Sequence, residues 1–425
     1  MRVGILSQWF PPETGPASIP GVLARGLVER GHEVTVLTGY PNYPTGVLYD
    51  GFSMKAREDY REHGYAIRRV ALYPDHSNRI SGRLLNYVSF ATTASALGVS
   101  ALKGIDVLWV YNSPATVALP MWLAKTRFRV PVVLHNMDMW PDSVIHTGFA
   151  PKRGGTIAIR ALDAWVNSMY RSATFVAFIS PSAGRELARR GVPAERLHYA
   201  PIWVDESVYQ PFDGADLRRQ LGYSETDIVV GYAGALGQAQ CVLDLVRAVV
   251  SMPAKSRVKC LILGSGTQAE EIVTLAQSRP DRLKYVGQVD HAQMTEYSAV
   301  PDISFVGLSA GGEAALATPS KVQAIMACGK PILAAASGDT ATLVKEGGVG
   351  YVVRPGDIRG LTRALAEIEG QGRTALDGLG LKSLEYSRRQ FSLRAGIDTL
   401  ENLLTLAQGR KDTASPASDP PFRGR

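Results

Sequence analysis

The sequence predicts an α/β protein made of two doubly wound units, and three observations carry that prediction. Apolar runs of strand length alternate with helix-length segments along the chain. The alternation breaks near residues 195–212, around Pro193, Pro201 and Pro211, and restarts at Ile228. The length, 425 residues, suits two or three domains at roughly 100–200 residues each. Continuous apolar runs mark strands buried on both faces, as in parallel sheets flanked by helices.

Residues 2–7 (RVGILS) read as the first strand, followed by the loop Pro11-Pro12-Glu13-Thr14-Gly15-Pro16. Ile19 to Arg30 has helical periodicity and stops at Gly31, a usual helix terminator. EVTVLT at 33–38 completes a strand–helix–strand unit. DVLWVY at 106–111, VPVVLH at 130–135 and TFVAFIS at 174–180 extend the same sheet, with a helix from Ala115 to Lys125. In the second half IVVGYAG, VKCLILGSG, LKYVG, DISFVGL, PILAA and GYVVRPG are six further strands. Ser392 to Leu406 reads as a closing helix, and the residues after about Gly409 lose apolar periodicity. The expected organisation is a first domain over 1–204, a second over 205–390, a C-terminal helix over 391–408 able to cross back to the first domain, and a disordered tail over 409–425.

Hydrophobic residues make up 45% of the chain and charged residues 20%. That composition suits a globular protein and excludes collagen-like, mucin-like and wholly disordered chains. The net charge is +7. Residues 1–200 hold 22 Lys and Arg against 14 Asp and Glu, and the remainder 24 against 25. The excess thus belongs to the first half, which suits an anionic partner there. Cys241, Cys260 and Cys328 include no CxxC pair, so neither a disulfide framework nor a zinc site is expected. The start, MRVGILSQWF, is too short in its apolar part for a signal peptide. Leu84 to Leu102 has bilayer-spanning length, but its Asn86, Ser and Thr favour a buried helix. A cytoplasmic protein is the expectation.

Ligands of doubly wound sheets bind beyond the carboxyl ends of the strands, so the strand-to-helix turns carry the chemistry. Gly234-Ala235-Leu236-Gly237 and Gly264-Ser265-Gly266 are two such turns. Their glycines allow backbone N–H groups to approach a phosphate at a helix start, although a tight turn needs them equally. Neither matches GxGxxG or GxxxxGK[ST], which argues against a dehydrogenase or an ATPase. In Thr318-Pro319-Ser320-Lys321 a cation sits in the first turn of a predicted helix, where it opposes the dipole. An anion docking there would explain it; an incidental surface lysine is the alternative. In the first half, His135, Asp138, Trp140 and Asp142 cluster after a strand. They read as a polar site, or as a helix cap (Asp142) and a core histidine (His135).

Five segments, WFPPETGPAS, LVERGHEVTVLTGYPNYPTG, DMWPDS, GYAGALGQAQ and TPSKVQAIMACGKPILAA, resemble in order and spacing the glycosyltransferase family 4 enzymes of the GT-B fold. Among these they resemble the WbuB- and WcaI-like transferases of bacterial surface polysaccharides. The resemblance covers about residues 1–408. It implies two Rossmann-like domains facing each other across a cleft. The implied reaction is a retaining sugar transfer from a UDP- or GDP-sugar to a glycan or lipid-linked acceptor, with no further cofactor and no metal. It places the donor mostly on the second domain and the acceptor mostly on the first. By position, Gly15, Gly234, Gly237, Ser320 and Lys321 would lie at the donor diphosphate, and Gly287 to Val289 along the nucleobase, with Gly264 grouped with the donor turns. Asp138 and Lys321 are the catalytic candidates, and His135, Trp140 and Asp142 the acceptor-side candidates. The family's two glutamates, eight positions apart, would fall at Leu316 and Ala324 and are absent; the second commonly binds ribose hydroxyls. Gln238 and Gln240 stand where a basic pair is usual, which leaves Lys321 as the available positive charge.

Two other functions fit the same architecture: a sugar-nucleotide epimerase, and a non-catalytic subunit that keeps the fold. No nucleic-acid partner is expected. Arg68, Arg69, Arg79 and Arg83 lead into the weakly polar Leu84–Leu102 segment. Basic residues beside apolar surface suit peripheral contact with an anionic membrane carrying a lipid-diphosphate acceptor. Solvated arginines beside a core helix are the alternative.

Overall fold

A computed structural model describes residues 1–77, 79–140, 155–290, 293–309 and 320–413. The chain divides into two compact units. The first holds Met1–Ile179, Gly184–Ala200 and the chain from Ile397, and the second holds Ser180–Ala183 and Pro201–Gly396.

The first unit is built on eight strands: β1 (Arg2–Leu6), β2 (Glu33–Gly39), β3 (Arg57–Glu62), β4 (Tyr65–Val70), β5 (Val107–Tyr111), β6 (Val132–Asn136), β7 (Phe175–Phe178) and β8 (Leu197–Tyr199). Their order is β3-β4-β2-β1-β5-β6-β7-β8. All pairs are parallel except β3–β4. The strands β5 and β6 are buried at every position, as their unbroken apolar runs require. The hairpin β3–β4 and the short β8 were not foreseen. REDYRE in β3 has no apolar periodicity, because it is an edge strand stabilised by charge. Asp59 lies opposite Arg68 in the register and binds its guanidinium at 2.5 Å. A charged edge also discourages pairing with a foreign strand.

The hairpin corrects the reading of the basic segment. Arg69 is not a surface residue: it is 1% exposed and donates to Tyr60 Oη, Gly39 O and Pro11 O. Arg68 is held by Asp59 and by Ser100 Oγ. The segment expected as one buried helix over 84–102 is a helix over Ile80–Thr93, a wider turn over Ala94–Gly98 and a 3₁₀ turn over Val99–Leu102. Asn86, Phe90 and Ala91 are buried, whereas Leu84, Leu85 and Val88 are exposed.

The second unit is a fully parallel six-stranded sheet: β9 (Ile228–Ala233), β10 (Val258–Leu263), β11 (Leu283–Gly287), β12 (Ile303–Gly307), β13 (Ile332–Ala335) and β14 (Gly350–Val353). The order is β11-β10-β9-β12-β13-β14. Each of the six apolar runs read from the sequence is one of these strands. One core cluster gathers Val230, Leu245, Ile262, Phe305 and Leu365 between strands and helices.

The last helix spans Leu393–Thr413, five residues beyond the expected limit of 408; residues 414–425 lie outside the described part. From Ile397 it belongs to the first unit. There Glu401 binds His32 Nε2 at 2.6 Å and Arg30 Nη1 at 2.5 Å. Gly26, on the helix Ile19–Glu29, faces Ile397 so closely that a Cβ would lie 2.1 Å from Ile397 Cδ1.

Candidate functional site

In each unit the strand order reverses at one point, and that point selects the loops able to hold a ligand. In the first sheet β1 lies between β2 and β5, so the reversal exposes the loops after β1 and β5. In the second sheet β9 lies between β10 and β12, and the loop after β9 is Gly234–Gly237.

The second unit brings several expected residues together. The helix Ser320–Ala327 begins at the expected place. Its Lys321 reaches back to the β9 turn, where Nζ donates to Tyr232 Oη at 3.1 Å and lies 4.5 Å from the ring centroid. Tyr232 Oη in turn donates to Ala235 O at 2.6 Å. A Cβ on Gly234, whose φ is 145°, would come within 2.9 Å of Lys321 Nζ. Burial pushes the Lys321 ammonium down to about 8, as expected of a cation with little solvent. The amides of Gly234 and Leu236 bind Leu263 O and Ser265 O, and those of Ala235 and Gly237 have no hydrogen-bond partner among the described residues. Ser320 is the exposed first residue of its helix.

Gly264 has a packing reason of its own. A Cβ there would sit 1.8 Å from Gly234 O, and one on Gly266 would sit 2.4 Å from Leu236 O. The two turns lie backbone on backbone, so these glycines serve the crossing of the chains. Val289 packs, half-buried, on the cluster of Tyr223, Val229, Leu263 and Val300. Gln238, one of the two residues in place of the usual basic pair, lines a cavity of about 500 Å³ with Cys241, Asp244, Arg247, Gln268 and Ser309. That volume is within the usual range for a small-molecule pocket. Among the described residues no group of three His, Cys, Asp or Glu side chains gathers as metal ligands.

In the first unit the loops are positioned by buried side chains. Glu13 is 2% exposed and accepts from Phe10 N–H at 2.9 Å and from Asn42 and Tyr43 N–H at 2.8 Å each, which ties the β1 loop to the β2 loop. Burial pushes its carboxyl up to about 7, against the pull of those three amides. Gly15 follows at φ 64°, with nothing within 4 Å of where a Cβ would point. Asn112 donates to Asn136 Oδ1 at 2.6 Å and accepts from Met137 N–H at 2.7 Å. Asp138 then accepts from Ser113 Oγ at 2.5 Å. Burial raises the Asp138 carboxyl, and the serine bond opposes the rise. Trp140 N–H binds Asp138 O, and its ring meets Tyr87 edge-on at 6.4 Å.

The structure places His135 in the core, the second of the two readings its sequence position allows. It is fully buried within β6, its Nε2 lies 2.9 Å from Ala200 O, and burial pushes its imidazole down to about 4. With Nε2 protonated it donates to that carbonyl and stays neutral. Asp142 lies outside the described residues. Glu13, Asn112 and Ser113 were missed by the sequence reading; the carboxylate inside a Pro- and Gly-rich loop was the available signal for Glu13.

Comparison with known proteins places this arrangement. Residues 14–203 match the family described as "Glycosyl transferase 4-like domain", and residues 213–376 match "Glycosyl transferases group 1". The chain is 26% identical over 343 residues to an Escherichia coli K12 protein named as the colanic acid biosynthesis glycosyl transferase WcaI, covering 77% of this chain and 82% of that one. It is 21% identical over 374 residues to the N-acetyl-alpha-D-glucosaminyl L-malate synthase of Bacillus anthracis, covering 85% of each. Among solved structures, sucrose-phosphate synthase of Thermosynechococcus elongatus superposes with a TM-score of 0.67 at 18% identity, over 96% of this chain and 99% of that one. Anabaena HepE in complex with UDP-glucose superposes at 0.62 and 17% identity, over 96% of this chain and 100% of that one.

Proposed function

Because the chain belongs to the glycosyltransferases, with a glycosyl transferase 4-like first half and a group 1 second half on the GT-B fold, we propose that it moves a sugar from a UDP- or GDP-sugar to a glycan or lipid-linked acceptor in surface-polysaccharide synthesis, with retention at the anomeric carbon. The observation that carries this reading is Lys321, a half-desolvated cation held by Tyr232 against the glycine turn at the switch point of the second sheet. A nucleoside diphosphate supplies the anion that this placement suits.

In the proposed step an acceptor hydroxyl oxygen bonds to the anomeric carbon on the face that the diphosphate leaves. The bond from that carbon to the phosphate oxygen breaks, and its electron pair stays on the phosphate. The hydroxyl proton passes to the same phosphate oxygen. Lys321 and the free amides of the Gly234 turn stabilise charge as it develops there. Asp138, on the first unit, orients the acceptor or stabilises positive charge on the sugar. No DxD-type carboxylate pair lies at any phosphate turn, so transfer is expected to persist in EDTA; complete loss restored by Mn²⁺ or Mg²⁺ would contradict this.

The test is incubation with UDP- and GDP-sugars, with and without an acceptor. A transferase consumes the donor only when acceptor is present and releases the nucleoside diphosphate. Epimerised donor formed without acceptor would identify an epimerase, and no turnover with any donor would identify a non-catalytic subunit.

A further inference from the structure

Five ring side chains on the first unit form one continuous run. Trp9 follows β1, Tyr43 follows β2, His76 follows β4, Tyr87 lies on the helix Ile80–Thr93, and Trp140 follows β6. Those four strands run parallel in the sheet, so their carboxyl ends share one edge, the edge at which such sheets hold ligands. Ring centroids lie 5.0 Å apart for Trp9 and Tyr43, 5.1 Å for Tyr43 and His76, and 6.4 Å both for His76 with Tyr87 and for Tyr87 with Trp140. Trp9 is 8% exposed, and the other four are half-buried. Burial raises the Tyr87 hydroxyl and the Asp138 carboxylate adds to the rise, which places that carboxylate beside the run.

Packing alone does not explain the run. Trp9 Nε1, His76 Nε2 and Trp140 Nε1 are buried and have no hydrogen-bond partner among the described residues. A core supplies partners for such groups or uses phenylalanine and leucine in their place. Rings with polar edges suit a ligand that has both an apolar face and a rim of hydroxyls. Charge narrows the choice further. Arg83, whose charge reaches His76 and Tyr87, donates to Ser77 O at 3.0 Å and to His76 O at 3.5 Å. Burial, with that charge beside it, pushes the His76 imidazole down to about 4, so the ring is neutral at neutral pH. The Asp138 carboxylate repels an anion. The run therefore suits an uncharged ligand.

We propose that Trp9, Tyr43, His76, Tyr87 and Trp140 form a binding site for an uncharged pyranose ring, which lays its C–H face on the half-buried rings and turns its hydroxyls to the ring nitrogens and to Asp138. The rings of Tyr43, His76 and Trp140 shift as the sugar enters, which opens the buried nitrogens to it. The site selects an acceptor that ends in a neutral sugar against one that ends in a phosphate or a carboxylate. Naming that sugar the acceptor rests on the proposed function; the site itself does not.

The experiment is saturation-transfer NMR on the full chain with the methyl α- and β-pyranosides of glucose, galactose and N-acetylglucosamine. Mannitol and glucose 6-phosphate serve as the open-chain and anionic counterparts. At least one pyranoside is expected to bind, and neither counterpart. Trp9→Phe, which keeps a ring and removes the N–H, and Tyr87→Leu should each weaken that binding about three- to tenfold, the scale of one aromatic contact. Their melting temperatures and their UDP or GDP affinity should stay near the parent values, which separates a lost sugar from lost folding or a failed donor site. Lys321→Ala should bind the pyranoside as the parent does, which excludes the donor turns as its seat. No pyranoside binding, equal binding of mannitol or glucose 6-phosphate, or binding that both ring variants retain overturns the proposal. A pyranoside that binds a chain turning over no donor overturns the acceptor role alone.

Discussion

The two units shape their ligand-side loops by different means. In the second, two glycine turns lie backbone on backbone, Gly264 against Gly234 and Gly266 against Leu236, and one lysine leans over them. In the first, buried side chains hold the loops: Glu13 binds three amides, and Asn112 and Ser113 hold the segment that carries Asp138. Under the proposed function, bare backbone plus a cation would meet what donors share, a diphosphate. Side chains would meet what differs between acceptors, the position of hydroxyls and apolar surface. The contrast predicts that damage to the second unit weakens donor binding, and damage to the first changes transfer while the donor still binds.

The largest effect is expected at Lys321. Lys321→Ala should lower kcat by about 10²–10³, the usual cost of removing one preorganised stabiliser of developing charge, with the melting temperature little changed. Since burial holds its ammonium near 8, kcat/KM should decline as pH rises through about 8 in the parent, and the variant should lack that limb. An unchanged kcat would return Lys321 to packing against Tyr232.

Asp138→Asn comes next. It should lower kcat by about 10–10² while nucleotide affinity stays at the parent value, because it removes charge from the acceptor side only. Equal loss of nucleotide affinity would make the residue structural.

The glycines sharpen the contrast through stability. Gly264→Ala places a Cβ 1.8 Å from a backbone oxygen at φ 127°, so about 1–3 kcal/mol of stability should be lost, together with nucleotide binding. Gly15→Ala meets no neighbour and carries only the left-handed backbone strain of about 1–2 kcal/mol. Thermal unfolding of the two variants, with and without nucleotide, compares them directly.

The smallest effect is at Glu13. Its carboxyl sits near 7 in the native chain and near about 4.3 when unfolded. Between those values the native state holds a proton that the unfolded state releases, so this group's contribution to stability declines as pH rises through that window. Glu13→Gln should flatten that slope and lose about 1 kcal/mol from an imperfect match to three amides. A parent slope retained in the variant would assign it to another group.

How much of this was legible in the sequence follows the same division. All six strands of the second sheet were visible because each is an apolar run such as VKCLILG, and the lysine was visible because a cation at a helix start is electrostatically misplaced. The hairpin β3–β4 was not, since REDYRE and Arg68 satisfy each other across strands and leave no periodic signal. Arg69 looked like surface charge because sequence cannot show the carbonyls that converge on it. His135 and Asp138 look alike in sequence, each a polar residue near the end of β6, but only the histidine falls inside the strand. The departure of Gln238 and Gln240 from the usual basic pair was legible; the cavity that Gln238 lines was not.

The most direct test of the division is calorimetric titration of UDP and GDP into the parent, Lys321→Ala and Asp138→Asn proteins. The account predicts that one nucleotide binds the parent and Asp138→Asn with equal affinity and binds Lys321→Ala at least tenfold more weakly. Equal affinity in the parent and Lys321→Ala, with loss confined to Asp138→Asn, would contradict it.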